Sequence, residues 1–196
     1  MEKVVLASNN LHKVKEFKEI LKEVEILTLK EIGFNNEIIE DGKSFYENSL
    51  IKAKAVSAYL KEKGLNYSVL ADDSGLVVDS LDGAPGIFSA RFAGENATDK
   101  ENREKLLREL KDKGNRAAHF SAVIVKVFSD GSHIYGEGST FGRILENEVG
   151  YDGFGYDCLF YSNDLKKSFG EASAEEKNSV SHRKRAIEDL LKNEKK

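Results

Sequence analysis

Two periodicities organise the chain. Lys3-Val4-Val5-Leu6-Ala7 is a short apolar run and predicts a buried strand. Ser8-Asn9-Asn10 follows, built of residues that favour turns and helix caps. Over residues 11–23 the apolar positions are Leu11, Val14, Phe17, Ile20 and Leu21, a helical spacing with charges between. The chain therefore opens strand, polar loop, helix. A second strand is expected over residues 24–29, then a polar, acidic connection over residues 33–42. Ser44-Phe45-Tyr46-Glu47 has the capping-box pattern and predicts a helix to about residue 63, closed by Gly64. Tyr67-Ser68-Val69-Leu70-Ala71 predicts the next strand. It should end in a turn at Asp72-Asp73-Ser74-Gly75 and resume as Leu76-Val77-Val78.

Gly83-Ala84-Pro85-Gly86 carries the only proline and predicts a shaped loop. Thr98-Asp99-Lys100-Glu101 is a second capping box, opening an amphipathic helix to about residue 113. Residues 117–128 and 133–146 read as two strands joined at Asp130-Gly131, a hairpin signal. Residues 150–161 are rich in glycine and aromatics, and residues 173–196 read as a short turn and one helix of mixed charge. Early alternation of strands and helices with a late hairpin gives an α/β class with a mixed sheet. The hairpin half is expected to form a second lobe, with an active-site cleft between lobes.

At 196 residues the chain fits a single domain, taken as residues 1–196. Lys and Arg total 30 against 34 Asp and Glu, a formal charge of −4, which argues against a general nucleic-acid binder. One cysteine, Cys158, excludes an intramolecular disulfide framework and a multi-cysteine zinc site. The N-terminal residues lack the pattern of a secretory signal, and no apolar run is long enough to span a bilayer. A cytoplasmic location with no membrane partner is expected.

Five segments could carry chemistry. Ser8-Asn9-Asn10-Leu11-His12-Lys13 joins a strand to a helix start, where free N–H groups and the helix dipole suit a phosphate. Taken alone it reads first as an ordinary cap with a solvated lysine, and its spacing is not that of a P-loop. Asp72 and Asp73 beside Ser74 and Gly75 could hold a hard cation such as Mg²⁺ at a strand end, or simply form a polar turn. Glu40, in the acidic connection, could join the same metal, and Lys52 lies within the second helix. In the Gly153-Phe154-Gly155-Tyr156-Asp157 run, the aromatics could stack on a base and Asp157 bond to its edge. The competing reading is an aromatic loop packed on the core. Ser181-His182-Arg183, with Lys177 upstream, offers directional donors or merely a basic helix edge.

In this order the segments are specific together. The chain resembles the XTP/dITP diphosphatase family, also called inosine triphosphate pyrophosphatases. The matching runs are Ser8-Asn9-Asn10-Leu11-His12-Lys13 for the family's Ser/Thr-x-Asn-x-x-Lys, and Phe45-Tyr46-Glu47-Asn48 with Lys52-Ala53. They continue with Ala71-Asp72-Asp73-Ser74-Gly75-Leu76, the 83–91 run Gly-Ala-Pro-Gly-Ile-Phe-Ser-Ala-Arg, Gly153-Phe154-Gly155-Tyr156-Asp157 and Ser181-His182-Arg183. Cys158 is a departure, since many relatives have proline there. The resemblance implies an elongated α/β body with helices flanking the sheet, and a homodimer. It implies Mg²⁺-dependent hydrolysis of ITP, dITP and XTP to the monophosphate and pyrophosphate.

Carried over by motif, Ser8, Asn9, Asn10, Leu11, His12, Lys13 and Lys52 would bind the triphosphate, and Ser74 would also bind the substrate. Glu40 and Asp73 would hold the metal, Asp73 would take the proton of the attacking water, and Asp72 would support them. Phe154 would stack on the base, with Gly155, Tyr156, Asp157, Lys177, His182 and Arg183 shaping and reading its pocket. Donors such as His182 and Arg183 suit the C6 carbonyl that deamination creates, and would be left facing an amino group on adenine. Two other readings stay open: a related pyrophosphatase acting on pyrimidine or modified nucleotides, and a nucleotide-binding regulator without turnover.

Overall fold

The computed structural model describes residues 2–195. The elements run β1 (Glu2–Leu6), α1 (Leu11–Ile20), β2 (Val24–Thr28), α2 (Phe45–Glu62), β3 (Ser68–Val78), α3 (Asp99–Glu109), β4 (Ala117–Val127), β5 (His133–Ile144), β6 (Phe160–Ser162), α4 (Ala174–Val180) and α5 (His182–Asn193). The strands form one sheet in the order β2-β1-β3-β4-β5-β6. β1 pairs parallel with β2 and β3, with Val4 opposite Ile26 and Leu6 opposite Leu70, whereas β5 and β6 pair antiparallel. The sheet is therefore mixed, flanked by helices, as the element pattern implies. Among the described residues no helix is long and apolar enough to cross a membrane.

Period-two alternation sorts the first strands onto two cores. Val4, Leu6 and Leu70 pack with Val14 and Phe17 of α1 and with Ala186, Ile187 and Leu190 of α5. Val5, Ala7, Val69 and Ala71 pack on the other face with Ala53, Val56 and Leu60 of α2. Burial of such side chains stabilises each by roughly 1.5–3 kcal/mol, which fixes the strand faces against a one-residue slip. A third core joins Leu76 and Val78 to Leu106, Leu110, Phe120, Phe160 and Phe169.

Two units divide the chain. One comprises residues up to Asp73, Ala122–Gly138 and residues from Arg183 on; the other comprises Ser74–Ser121 and Ser139–His182. The first holds the cores around α1, α5 and α2, and the second holds the third core.

Several expectations need correction. No turn interrupts residues 72–75: β3 runs unbroken through Asp72-Asp73-Ser74-Gly75. Each carboxylate is met by cations or amides from the flanking helices, which removes the cost that seemed to demand a turn. Gly75 matters here, because a Cβ would lie 2.2 Å from the Gly86 carbonyl oxygen and 2.5 Å from Ser89 Oγ. The tail forms two helices, not one, because Ser181 is extended (φ −66°, ψ 151°) between α4 and α5. α1 stops at Ile20 rather than residue 23. At Ser44 only half of the expected box forms: its hydroxyl accepts from the Glu47 N–H, while Glu47 turns back to the Lys43 N–H. At Thr98 both halves are present. Gly64 closes α2 in the left-handed region (φ +67°), as its position implies.

Candidate active site

The first unit carries a topological switch. β1 continues through α1 to β2 on one side, and β2 continues through α2 to β3 on the other. In open α/β sheets, ligands bind beyond the carboxyl ends of strands at such a point. The loop leaving β1 there is Ser8-Asn9-Asn10, and β3 presents Asp72 and Asp73.

Local bonding explains the loop. Asn10 caps α1, its Oδ1 accepting from the His12 and Lys13 N–H groups at 3.0 and 3.2 Å, and Ser8 Oγ accepts from the Asn10 N–H at 3.2 Å. The cap that competed with the phosphate reading is thus physically present. Asn9 and His12 are exposed, and Leu11 is 79% exposed at the helix start.

Strand parity places the two aspartates on opposite faces. Asp72 shares the face of Leu70 and meets α1 and α5; Asp73 shares the face of Ala71 and meets α2. Asp72 is 1% exposed. Its Oδ1 lies 2.9 Å from Lys13 Nζ, and its Oδ2 accepts from Arg183 Nε at 3.2 Å and Nη2 at 3.1 Å. Arg183 Nη1 donates to Glu16. Burial works against the Asp72 charge, but Arg183, Lys13 and Lys52 outweigh it and hold the carboxyl well below the usual range. Burial pulls the Lys13 ammonium down, with Asp72 opposing. Burial also disfavours the Arg183 cation, yet Asp72 and Glu16 raise it above its ordinary value.

On the other face, Asn48 Nδ2 donates to Asp73 Oδ2 at 3.1 Å. Lys52 Nζ lies 2.8 Å from Glu40 Oε2 and 3.8 Å from Asp73 Oδ1, so one lysine sits against both candidate metal carboxylates. Burial pushes the Asp73 carboxyl up, with Lys52 and Lys13 opposing. Among the described residues no three His, Cys, Asp or Glu side chains are gathered to hold a metal alone.

The second unit holds the aromatic segment. Asp157 is buried; its Oδ2 accepts from the Phe154 N–H at 2.8 Å and from Lys177 Nζ at 2.6 Å. Lys177 also lies over the Phe154 ring, 4.6 Å from its centroid. The Gly155 N–H donates to Asp99 Oδ2 at 2.9 Å and its carbonyl accepts from Arg103 Nη1 at 2.9 Å, so α3 grips this peptide from both sides. Tyr156 donates its hydroxyl to the Ser89 carbonyl at 2.8 Å, and burial raises its phenol above the ordinary value. Tyr156 and Asp157 therefore shape the segment that presents Phe154. The His182 ring stacks on Phe120, centroids 5.1 Å apart, and Ser74 is half-buried on β3. Arg183 belongs to the first unit, where it bonds to Asp72 and Glu16. Cys158 is half-buried, and burial raises its thiol, which does not favour a nucleophile.

Two polar residues gained no role from sequence reading. Glu16 is three residues after Lys13 on the face of α1 that also buries Val14 and Phe17. Asn48 is four residues before Lys52 on α2 and is buried. A polar residue on a core-facing helical stripe was the available signal in both cases.

The switch point of this α/β sheet gathers cations and carboxylates from helices and a strand. The model of the Ham1 family matches residues 4–193, and the chain belongs to that family. It is 52% identical to a protein of Clostridium perfringens named dITP/XTP pyrophosphatase, covering 98% of this chain and 97% of the relative. A Desulfotalea psychrophila protein of the same name is 48% identical, over 95% of this chain and 82% of the relative. Among solved structures, the Ham1 protein of Staphylococcus aureus superposes with a TM-score of 0.85 at 38% identity, covering 100% of both chains.

Proposed function

We propose that this chain hydrolyses the non-standard purine nucleoside triphosphates dITP, ITP and XTP to the monophosphate and pyrophosphate. Relatives at up to 52% identity over nearly the whole chain are named dITP/XTP pyrophosphatase. The observation that carries the reading is the cluster at the switch point: Lys13 and Lys52 set against Asp72, Asp73 and Glu40. Cleaving a phosphoanhydride demands charge neutralisation and a positioned water more than covalent chemistry.

Lys13 and Lys52 bind and neutralise the triphosphate, with Ser8, Asn9, Asn10, Leu11 and His12 at the helix start; Ser74 also binds the substrate. Asp73 orients the attacking water and takes its proton as water adds across the α–β anhydride and pyrophosphate leaves. Glu40 and Asp73 fit Mg²⁺: both are hard oxygen donors beside one lysine, and Mg²⁺ commonly takes one or two carboxylates with substrate phosphates. Mg²⁺, when bound there, would neutralise phosphate oxygens. Asp72 holds Lys13 and Arg183 in place. Phe154 stacks on the base, Gly155, Tyr156, Asp157 and Lys177 shape its segment, and His182 supplies a donor suited to a purine C6 carbonyl, whereas the Arg183 guanidinium is engaged by Asp72 and Glu16. The reading includes a cytoplasmic homodimer with no nucleic-acid or membrane partner.

The test is pyrophosphate release from dITP, ITP, XTP, GTP, ATP and the pyrimidine triphosphates, each with Mg²⁺ and with chelator. Mg²⁺-dependent release confined to the deaminated purines is expected. Release from pyrimidine nucleotides would replace the base assignment with the related-pyrophosphatase reading. Binding without release would leave the regulator.

A further inference from the structure

We propose that Asn48 is a positioning residue that fixes both Asp73 and the loop carrying Glu40 for a divalent cation; the proposal rests on the pyrophosphatase reading above. Asn48 is 2% exposed and lies one helical turn before Lys52. Its Nδ2 donates to Asp73 Oδ2 at 3.1 Å and its Oδ1 accepts from the Gly42 N–H at 2.9 Å. Only this orientation of the amide satisfies both partners, because a carboxylate has no hydrogen to give and an N–H cannot accept. Gly42 is two residues from Glu40, whose own carboxylate is held by Lys52 at 2.8 Å.

One side chain thus ties both candidate carboxylates, Asp73 directly and Glu40 through the backbone. The loop approaches closely: a Cβ on Gly42 would lie 2.7 Å from Asn48 Oδ1 and 2.7 Å from Glu47 Cβ. Turning the amide would break both bonds in a buried place, so the side chain has a single favourable setting. Groups that orient metal-binding carboxylates act in this way from the second layer. An asparagine that merely fastened α2 to the loop would affect stability and nothing else.

The experiment compares the parent with Asn48→Ala and Asn48→Leu. Mn²⁺ binding to the nucleotide-free protein is followed by electron paramagnetic resonance, kcat and KM are measured for ITP with Mg²⁺, and folding is checked by circular dichroism. Mn²⁺ affinity and kcat should each fall roughly 10–100-fold, while KM for ITP stays within about threefold. A folded variant with both quantities within about twofold of the parent overturns the proposal. A raised KM with unchanged kcat also overturns it, as does a parent that binds no Mn²⁺. Gly42→Ala perturbs the same amide from the loop side, and should both Asn48 variants fail to fold, its unchanged Mn²⁺ affinity is the overturning result. If the parent releases no pyrophosphate from ITP, the functional reading fails, while the Mn²⁺ titrations still decide the role of Asn48.

Discussion

Lys13, Glu16, Asp72 and Arg183 form a charge-balanced quartet, two cations against two anions, drawn from α1, β3 and α5. Arg183→Met removes the central cation and leaves the quartet with a net negative charge. The side chains of Asp72 and Arg183 are 0% and 1% exposed, so water cannot replace the lost partner. Breaking one side of such a buried pair costs about 3–5 kcal/mol. Lys13 still faces Asp72, and the Lys13 and Glu16 side chains keep 16% and 11% exposure, which points to the lower end, about 3 kcal/mol. Asp72→Asn leaves a net positive charge at a similar cost. In the double variant, Lys13 and Glu16 balance again. The double variant should therefore lose less than the roughly 6 kcal/mol sum, with a coupling of about 1–3 kcal/mol. Urea unfolding of the four proteins, extrapolated to water, gives the cycle directly. A single-variant cost below about 1 kcal/mol, or a double cost equal to the sum, refutes the charge-balance argument.

Asp73→Asn should leave the fold intact and abolish pyrophosphate release from ITP; substantial residual turnover would remove Asp73 as proton acceptor. Gly75→Ala should destabilise by about 1–3 kcal/mol or more, since the clash at 2.2 Å is with a backbone carbonyl; an unchanged urea midpoint would contradict it. Arg103→Leu frees the Gly155 carbonyl and should loosen the Phe154 segment, seen as a raised KM for ITP at nearly constant kcat. Glu101 is held below its ordinary value of 4.5 by the Thr98 backbone N–H and hydroxyl. Its folded value is depressed, so its stabilisation is present above 4.5 and lost as pH falls through the lower folded value. The stability difference between the parent and Glu101→Gln should therefore shrink on acidification below 4.5, and a difference independent of pH would count against the capping contribution.

Much of the fold was legible because its signals are local. The run from Val4 to Ala7 followed by Ser8-Asn9-Asn10 placed β1 and the α1 cap, and the Thr98 box placed the start of α3. What was not legible depends on partners far away in the chain. Asp72 and Arg183 are separated by 111 positions, so no window around Asp72 reveals the guanidinium that makes a buried carboxylate tolerable. A turn was the economical local answer to two adjacent acids, and the distant cations make it unnecessary. The tail failed differently: mixed charge over residues 173–196 has one helical period, but Ser181 adopts extended backbone and splits it.

The unbroken course of β3 also changes how the two aspartates divide their work. Had a turn begun at Asp72, both carboxylates could have addressed one ion. In a strand, neighbours point to opposite faces, so Asp72 must serve α1 and α5 while Asp73 serves α2. Asp72 is then enclosed by two cations and acts electrostatically, orienting Lys13 at the helix start and Arg183 at the start of α5. Asp73 accepts from the Asn48 amide and faces the Lys52 ammonium at 3.8 Å, and burial raises its proton affinity against the opposing lysines. A carboxylate that gains affinity for a proton in place fits the proton-accepting role proposed for Asp73. Adjacent identical residues thus acquire different chemistry from the period of the strand and from the helices that cover its two faces.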